Sequence, residues 1–222
     1  MIQFPDPNQA NDEGLIAYGG ELTPEYLLSA YQQGIFPWFC ENEPVLWWSP
    51  NPRMVLLPTD FKLKKSLRQV INKATFEVRI DTAFREVITN CSKVKRSHED
   101  ETWITNNMIE GYVKLHELGY AHSFESYFEG ELVGGLYGIS LGNCFFGESM
   151  FFTKTDASKV AFYHLVQFAL KNNFAFIDAQ QPTEHLASLG AKPIPRKDFL
   201  EMLEKALQEQ TLRGRWTKLA KD

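Results

Sequence analysis

Three polar side chains set in apolar strands are the residues of this sequence best placed to do chemistry together. Glu148 lies in the Phe-rich stretch NCFFGESMFFTKTDASK, residues 143–159, and Asp178 and Gln180 lie in FIDAQ, residues 176–180. A carboxylate amid so many aromatics must be solvated or held by donors, because an unpaired buried charge is costly. Strand alternation puts Phe146, Glu148 and Met150 on one face and Phe145, Gly147 and Ser149 on the other. Asp178 and Gln180, at i and i+2, share a face as well. Converging at one end of a sheet, these groups offer proton handling and positioning; the alternative is a polar set that merely satisfies strand ends. Cys144 with His185 or His164 is the competing nucleophile, but a lone Cys at a strand start is usually a small core residue. The histidines show neither HxxxH nor HxH spacing and the cysteines no CxxC, so no metal site is expected.

The secondary structure around these residues is readable from the pattern. The helical run ASKVAFYHLVQFALK, with Asp156 or Thr155 as its cap, separates the two strands and is apolar on most sides, so it is buried. Strand, helix and strand in this order predict a parallel pair. Upstream, YAHSFESYF and ELVGGLYGI flank Glu129-Gly130, a hairpin signal, and Leu141-Gly142-Asn143 turns the chain into NCFFGESMF. Earlier still, Thr23 caps the helix PEYLLSAYQQ, which opens on Pro24 and stops at Gly34. Residues 1–22 read as loop. The stretch from Ile35 to Arg53, with Pro37, Pro44, Pro50 and Pro52 among Trp38, Trp47 and Trp48, reads as a rigid linker or strand edge. FEVRI is a short strand, Asp81 the cap of the helix TAFREVITNC, SKVKRSHEDETW a loop, and NNMIEGYVKLHEL a helix ending at Gly119. A short helix TEHLASL and a final amphipathic helix over about 197–209 close the chain. A division near Arg53 is expected, with 1–53 a small domain and 54–222 the larger one. Helices, an antiparallel meander, then a helix crossing to a parallel strand describe an α/β (α+β) fold with a mixed sheet, of the GNAT acyltransferase type.

The composition of the 222 residues, 44% hydrophobic and 23% charged, is that of a soluble globular protein. The aromatic share of 14% is rich and suggests a large pocket or stacking surfaces. Three cysteines without pairing motifs fit a reducing cytoplasm. The first residues lack the basic start and apolar core of a secretory signal, and no stretch reaches membrane-span length. A net charge of −5 argues against wholesale nucleic-acid binding. One segment departs from that average: KLKKSLRQVINK carries Lys62, Lys64, Lys65, Arg68 and Lys73 and no acid, with Leu63, Leu67, Val70 and Ile71 at helical spacing. Its cations therefore share the outer face of an amphipathic helix, a solvated face or a phosphate-binding one.

GIFPWF, WWSPNPR, ETWI, ELVGGLYG, FFGESMF, DASK, IDAQ, HLASLGA and IPRKDF, in this order from about Gly14 to Phe199, resemble the leucyl/phenylalanyl-tRNA–protein transferase family. The resemblance implies a small N-terminal domain on a GNAT-like domain. It also implies transfer of Leu or Phe, less well Met, from aminoacyl-tRNA to proteins with N-terminal Arg or Lys, marking them for the bacterial N-end rule. Asp178 and Gln180 match the family's catalytic pair, Glu148 its substrate-holding Glu, and Trp38 its aromatic residue near the terminal adenosine; Trp103 of ETWI is a further substrate-binding candidate. Ala179 stands where the family often has Cys, and VINK thins the cations after the basic helix.

The chemistry of the residues agrees with that expectation. An aminoacyl ester is already activated, so amide formation needs positioning and proton removal. An Asp-oriented Gln carbonyl would accept an amine hydrogen, Glu148 would hold a cationic group, and Leu136, Phe145 and Ile177 would line an apolar pocket. FFTKTDAS lacks the glycines that cradle pyrophosphate, so coenzyme A is not the expected donor and no cofactor is expected. A coenzyme-A-dependent N-acetyltransferase and a non-catalytic RNA- or peptide-binding module are the rival classes.

Overall fold

The computed structural model describes residues 2–94 and 103–217. A mixed sheet of seven strands runs β10-β4-β9-β8-β7-β6-β5. Its antiparallel centre is the expected meander: β6 (Ala121–Phe128), β7 (Glu131–Leu141) and β8 (Cys144–Phe152). The first turn has positive φ at both Glu129 (53°) and Gly130 (85°), the combination that matches strand twist in a two-residue hairpin. α5 (Ala157–Lys171) then crosses to β9 (Phe176–Gln180), which runs parallel to β8. β4 (Arg53–Leu56) and β10 (Lys192–Ile194) extend the sheet antiparallel beyond β9, and β5 (Glu77–Ile80) closes the other edge.

Two apolar layers sandwich this sheet. On one face α1 (Pro24–Gln32), α3 (Phe84–Ser92), α4 (Asn106–Glu117) and α7 (Arg196–Ala206) bury Leu27, Val87, Met108, Leu115 and Phe199 against Tyr137, Ile139 and Phe146. On the other, α5 buries Leu165, Val166 and Ala169 against Phe124, Leu136, Phe145 and Ile177. The three glycines of ELVGGLYG all have a packing reason, and two of them show it best. A Cβ on Gly134 would lie 2.5 Å from the Cβ of Ala157, at the start of α5. One on Gly138 would collide with the carbonyl oxygen of Phe146, on the neighbouring strand.

The first fifty residues hold more structure than a loop and linker. β1 (Leu15–Tyr18), β2 (Phe36–Pro37) and β3 (Leu46–Trp48) form their own small sheet, in the order β1-β3-β2. Pairing continues at Pro37 because β2 is an edge strand of two residues. This sheet ends at Trp48 and β4 enters the large sheet at Arg53, yet Leu27, Tyr31 and Trp47 belong to the same apolar cluster as α3 and α4.

Two capping expectations change. Asp81, at φ 58°, caps nothing: α3 begins after Ala83, and the buried Asp81 carboxylate accepts from His122 Nδ1 (2.9 Å) and the backbone N–H groups of Ser123 (3.0 Å) and Trp216 (2.8 Å). Asp156 occupies the cap position of α5 without a side-chain cap bond and instead takes Lys159 Nζ at 2.7 Å. The loop expected over 92–103 falls largely outside the described residues.

Candidate active site

The site forms where β8 and β9 part. Their parallel pairing runs from Cys144–Phe176 to Phe146–Asp178 and stops there. Immediately beyond, each strand carries an irregularity. Gly138 pairs with Gly147 and Tyr137 with Ser149, so Glu148 is the extra residue of a β-bulge. Val55 pairs with Asp178 and Met54 with Gln180, so Ala179 is the extra residue of another. A bulge re-aims a side chain and reverses the in–out alternation of the residues after it. Met150 accordingly packs with the α5 layer, while Phe146 packs in the opposite one, correcting the alternation expected from sequence.

The re-aimed Glu148 points into donors. Tyr31 of α1 donates to Oε1 at 2.7 Å, Tyr112 of α4 to Oε2 at 2.8 Å, and Gln180 Nε2 to Oε1 at 2.7 Å. Burial pushes the Glu148 carboxyl up to about 7 against the pull of these donors, and the charge of Asp178 adds to the rise. Tyr31 and Tyr112 are raised well above the ordinary phenol value, first by burial and then by the charge of Glu148.

Contrary to the expectation from sequence, Asp178 does not touch the Gln180 side chain. Its Oδ1 accepts from Arg53 Nε (2.9 Å) and from the backbone N–H of Gln180 (2.9 Å), and its Oδ2 from Arg53 Nη2 (2.6 Å). Both partners of this ion pair are 0% exposed. The Arg53 guanidinium lies between the rings of Phe36 and Phe199, at 4.8 and 4.5 Å. Gln180 itself has φ 61°, a left-handed conformation that non-glycine residues adopt only where surroundings enforce it. The bond from its N–H to Asp178 is one such enforcement.

These groups sit at the polar end of a cavity of about 500 Å³. Leu136, Met150, Phe162, Leu165, Ile177 and Leu186 form its apolar lining, and Trp38, Trp103, Gln181 and His185 contribute as well. Of the sequence-derived candidates, Glu148, Asp178, Gln180, Trp38, Trp103, Leu136 and Ile177 are thus gathered around one cavity. Phe145 is not among its lining residues: it is fully buried in the α5 layer with its ring 6.2 Å from Trp216. Cys144 is buried outside the lining too, its Sγ 3.1 Å from the Leu141 carbonyl, and burial raises the thiol well above its ordinary value. It therefore supplies no thiolate.

The basic segment lies apart from the apolar wall. α2 (Lys65–Asn72) buries Leu67 and exposes Lys65 and Arg68; Lys62 and Lys64 precede the helix and Lys73 comes after it, all exposed. Burial lowers the His185 imidazole, and the charges of Lys159 and Lys64 lower it further, so cations approach the cavity from this side.

Tyr31, Tyr112 and Arg53 were not foreseen from sequence. Both tyrosines fall on the apolar stripes of their helices (Leu27–Tyr31; Met108–Tyr112–Leu115), where an aromatic reads as core. The usable signal is that a buried phenol needs a partner for its hydroxyl. For Arg53 the signal is a charge opening the apolar strand MVLL.

A model of the leucyl/phenylalanyl-tRNA protein transferase family matches residues 55–204, and one of that family's N-terminal domain matches 20–51. The chain belongs to the leucyl/phenylalanyl-tRNA protein transferase family. A leucyl/phenylalanyl-tRNA–protein transferase of Legionella pneumophila (strain Corby) is 55% identical, covering 96% of each chain. That of Desulfatibacillum aliphaticivorans is 52% identical over 97% of this chain and 93% of its own, and that of Myxococcus xanthus 53% over 96% and 92%. Among solved structures, a GCN5-related N-acetyltransferase from Kribbella flavida aligns with 75% of this chain and 59% of its own, at 9% identity and a TM-score of 0.39. This member of the transferase family is an aminoacyltransferase, moving an amino acid from tRNA to protein. Among the described residues no helix is long and apolar enough to cross a membrane.

Proposed function

We propose that the cavity takes the aminoacyl end of Leu-, Phe- or, less well, Met-tRNA and joins its acyl group to the free α-amine of an N-terminal Arg or Lys. The proteins so marked enter N-end-rule degradation, in the cytoplasm. What carries the reading is the polar end of an apolar cavity, where Gln180 meets Glu148 beside an Asp178 held by Arg53. An unbranched-β side chain such as Leu or Phe fits between Leu136, Met150, Phe162 and Ile177, which take the part expected of Phe145.

In this reading the ester needs little activation, and the protein contributes position. A carboxylate only accepts, so the Gln180 amide turns its NH₂ to Glu148 and keeps its carbonyl for a hydrogen of the attacking amine. Asp178, with both oxygens occupied, is an anchor for the Gln180 backbone rather than a base. Residues 1–53 act as a small domain that lends Tyr31 and Trp38 to the larger one, 54–222. Trp38 and Trp103 serve the terminal adenosine. Lys62, Lys64, Lys65, Arg68 and Lys73 hold acceptor-stem phosphates, on the side where Lys64 acts on His185.

Donor selection tests the reading. Single-turnover transfer from tRNAs charged with Leu, Phe, Met, Ile and Val to one Arg-initiated peptide should favour Leu and Phe over Ile and Val by about tenfold or more, with Met between. Equal rates across the series would contradict a shaped acyl pocket.

A further inference from the structure

Glu148, Tyr31 and Tyr112 make a closed triangle of oxygen contacts. Tyr31 and Tyr112 are 2.5 Å apart at their hydroxyls, Tyr31 is 2.7 Å from Glu148 Oε1, and Tyr112 is 2.8 Å from Oε2. Oxygens this close need a hydrogen between them. The two phenols bring two hydrogens, and both stay protonated because their ionisation lies well above the phenol value. With Glu148 ionised, three contacts share two hydrogens and one pair of oxygens faces each other bare. With a proton on Oε2 the count closes. Glu148 then donates to Tyr112, Tyr112 to Tyr31, and Tyr31 to Oε1, which also accepts from Gln180 Nε2.

We propose that Glu148 is the proton acceptor of the transfer, and that closure of this ring with Tyr31 and Tyr112 is what holds the proton there. The proposal rests on the functional reading above. As the amine nitrogen bonds to the ester carbonyl carbon, its proton passes to the Glu148 carboxylate. When the carbon–oxygen bond to the ribose breaks, Glu148 returns that proton to the leaving oxygen, ends as it began, and needs no outside acid or base. Glu148 lines the cavity and is the catalytic group; Tyr31 and Tyr112 are positioning residues. The attacking group enters as the free amine, and the cation-holding role expected from sequence belongs to the ionised carboxylate alone, since the protonated carboxyl carries no charge to attract a cation.

The surroundings suit a group that changes charge. Facing it are Tyr31 from α1, Tyr112 from α4, and Gln180 and Asp178 from β9, with Tyr137 of β7 beside Tyr112, and the guanidinium next to Asp178, that of Arg53 on β4, is committed to it. A carboxyl near 7 matches the requirement that a general base titrate close to working pH.

Infrared spectroscopy of the whole protein tests the ring without relying on activity. A protonated-carboxyl band should be present on the acid side, fade through about pH 7, and be missing in Glu148→Gln. Tyr31→Phe, which keeps the apolar packing but removes one contact, should move the midpoint of that band. In parallel, the single-turnover rate at saturating peptide should rise over the same pH range in the wild type. In Glu148→Gln it should be about a hundredfold or more slower and follow only the titration of the peptide's amine near pH ~8, with binding of Phe-tRNA unchanged. Absence of a titrating band, or a wild-type pH profile in Glu148→Gln, would overturn the proposal. A wild type that shows the band and transfers nothing overturns the functional reading, and with it the catalytic role, while the ring stands.

Discussion

Gln180 Nε2 donates to Glu148 Oε1 at 2.7 Å, while the Gln180 backbone N–H, not its side chain, donates to Asp178 at 2.9 Å. One residue is therefore held at two points by two carboxylates with different neighbours. Glu148 sets the direction of the amide, and Asp178, locked by Arg53, sets the backbone from which it projects.

Because the two holds act on one residue, their losses should not add. Asp178→Asn and Gln180→Ala should each lower kcat by about a hundredfold or more, and the double variant should be little worse than either. Single-turnover rates of the three variants at saturating donor and acceptor check this; strictly additive losses would mean two independent roles.

The Arg53–Asp178 pair separates stability from catalysis. Arg53→Met leaves a buried carboxylate without its partner and should cost about 3–5 kcal/mol in denaturant unfolding. Adding Asp178→Leu removes the stranded charge and should recover most of that stability without recovering activity. Recovery of both would confine the pair to a structural part.

Glu148 makes stability depend on pH with an unusual sign. Between its ordinary 4.5 and about 7 the unfolded chain has lost the proton that the folded chain keeps. The folded state then binds more protons, so this group's contribution to stability falls as pH rises through the window, by about 3 kcal/mol in total. Glu148→Gln presents the ring with the same donor and acceptor as the protonated acid. Its unfolding free energy relative to wild type should thus climb by about that amount over the window, and a constant difference would contradict the placement of the titration.

Trp38 is half-buried at the cavity, its ring edge-on to Trp48 at 5.6 Å and its carbonyl accepting Trp48 Nε1 at 2.6 Å. The carbonyl bond survives any substitution at position 38. Trp38→Ala should raise KM for aminoacyl-tRNA by an amount worth about 1–3 kcal/mol, and Trp38→Phe should restore most of it, with little change in Tm. A collapse of Tm in both variants would make the indole a packing group.

Replacing Lys65 and Arg68 with Gln should weaken different tRNAs by similar factors and lower the slope of log K against log salt by about 1.5–2, as two lost phosphate contacts require. An unchanged slope would return α2 to a solvated face.

The sequence made the meander, the α5 crossover and the shared cavity end of Glu148, Asp178 and Gln180 legible, because periodicity and turn chemistry are local. It misled where a single extra residue shifts the phase. The bulge at Glu148 moved Met150 to the opposite layer, and the one at Ala179 gave Gln180 a backbone that no i, i+2 rule anticipates. Phe145 and Phe146 are adjacent and equally apolar, and only the sheet's two layers decide which packs toward α5; neither lines the cavity. The Arg53–Asp178 pair spans 125 positions and Tyr31–Glu148 spans 117, so nothing near either residue in the chain announces its partner. Trp216, stacked on His122 at 3.6 Å, escaped for the same reason: it closes the core from a segment without periodicity.

Whether this fold moves an amino acid from tRNA to a free α-amine is decided by one incubation. Labelled Phe-tRNA and a peptide beginning with Arg are mixed with the protein, and the peptide is read by mass spectrometry. One Phe should be added at the N-terminus of that peptide, and none to the same peptide with its N-terminus acetylated. An unmodified peptide with Phe-tRNA, alongside acetylation of that peptide from acetyl-coenzyme A, would contradict this function.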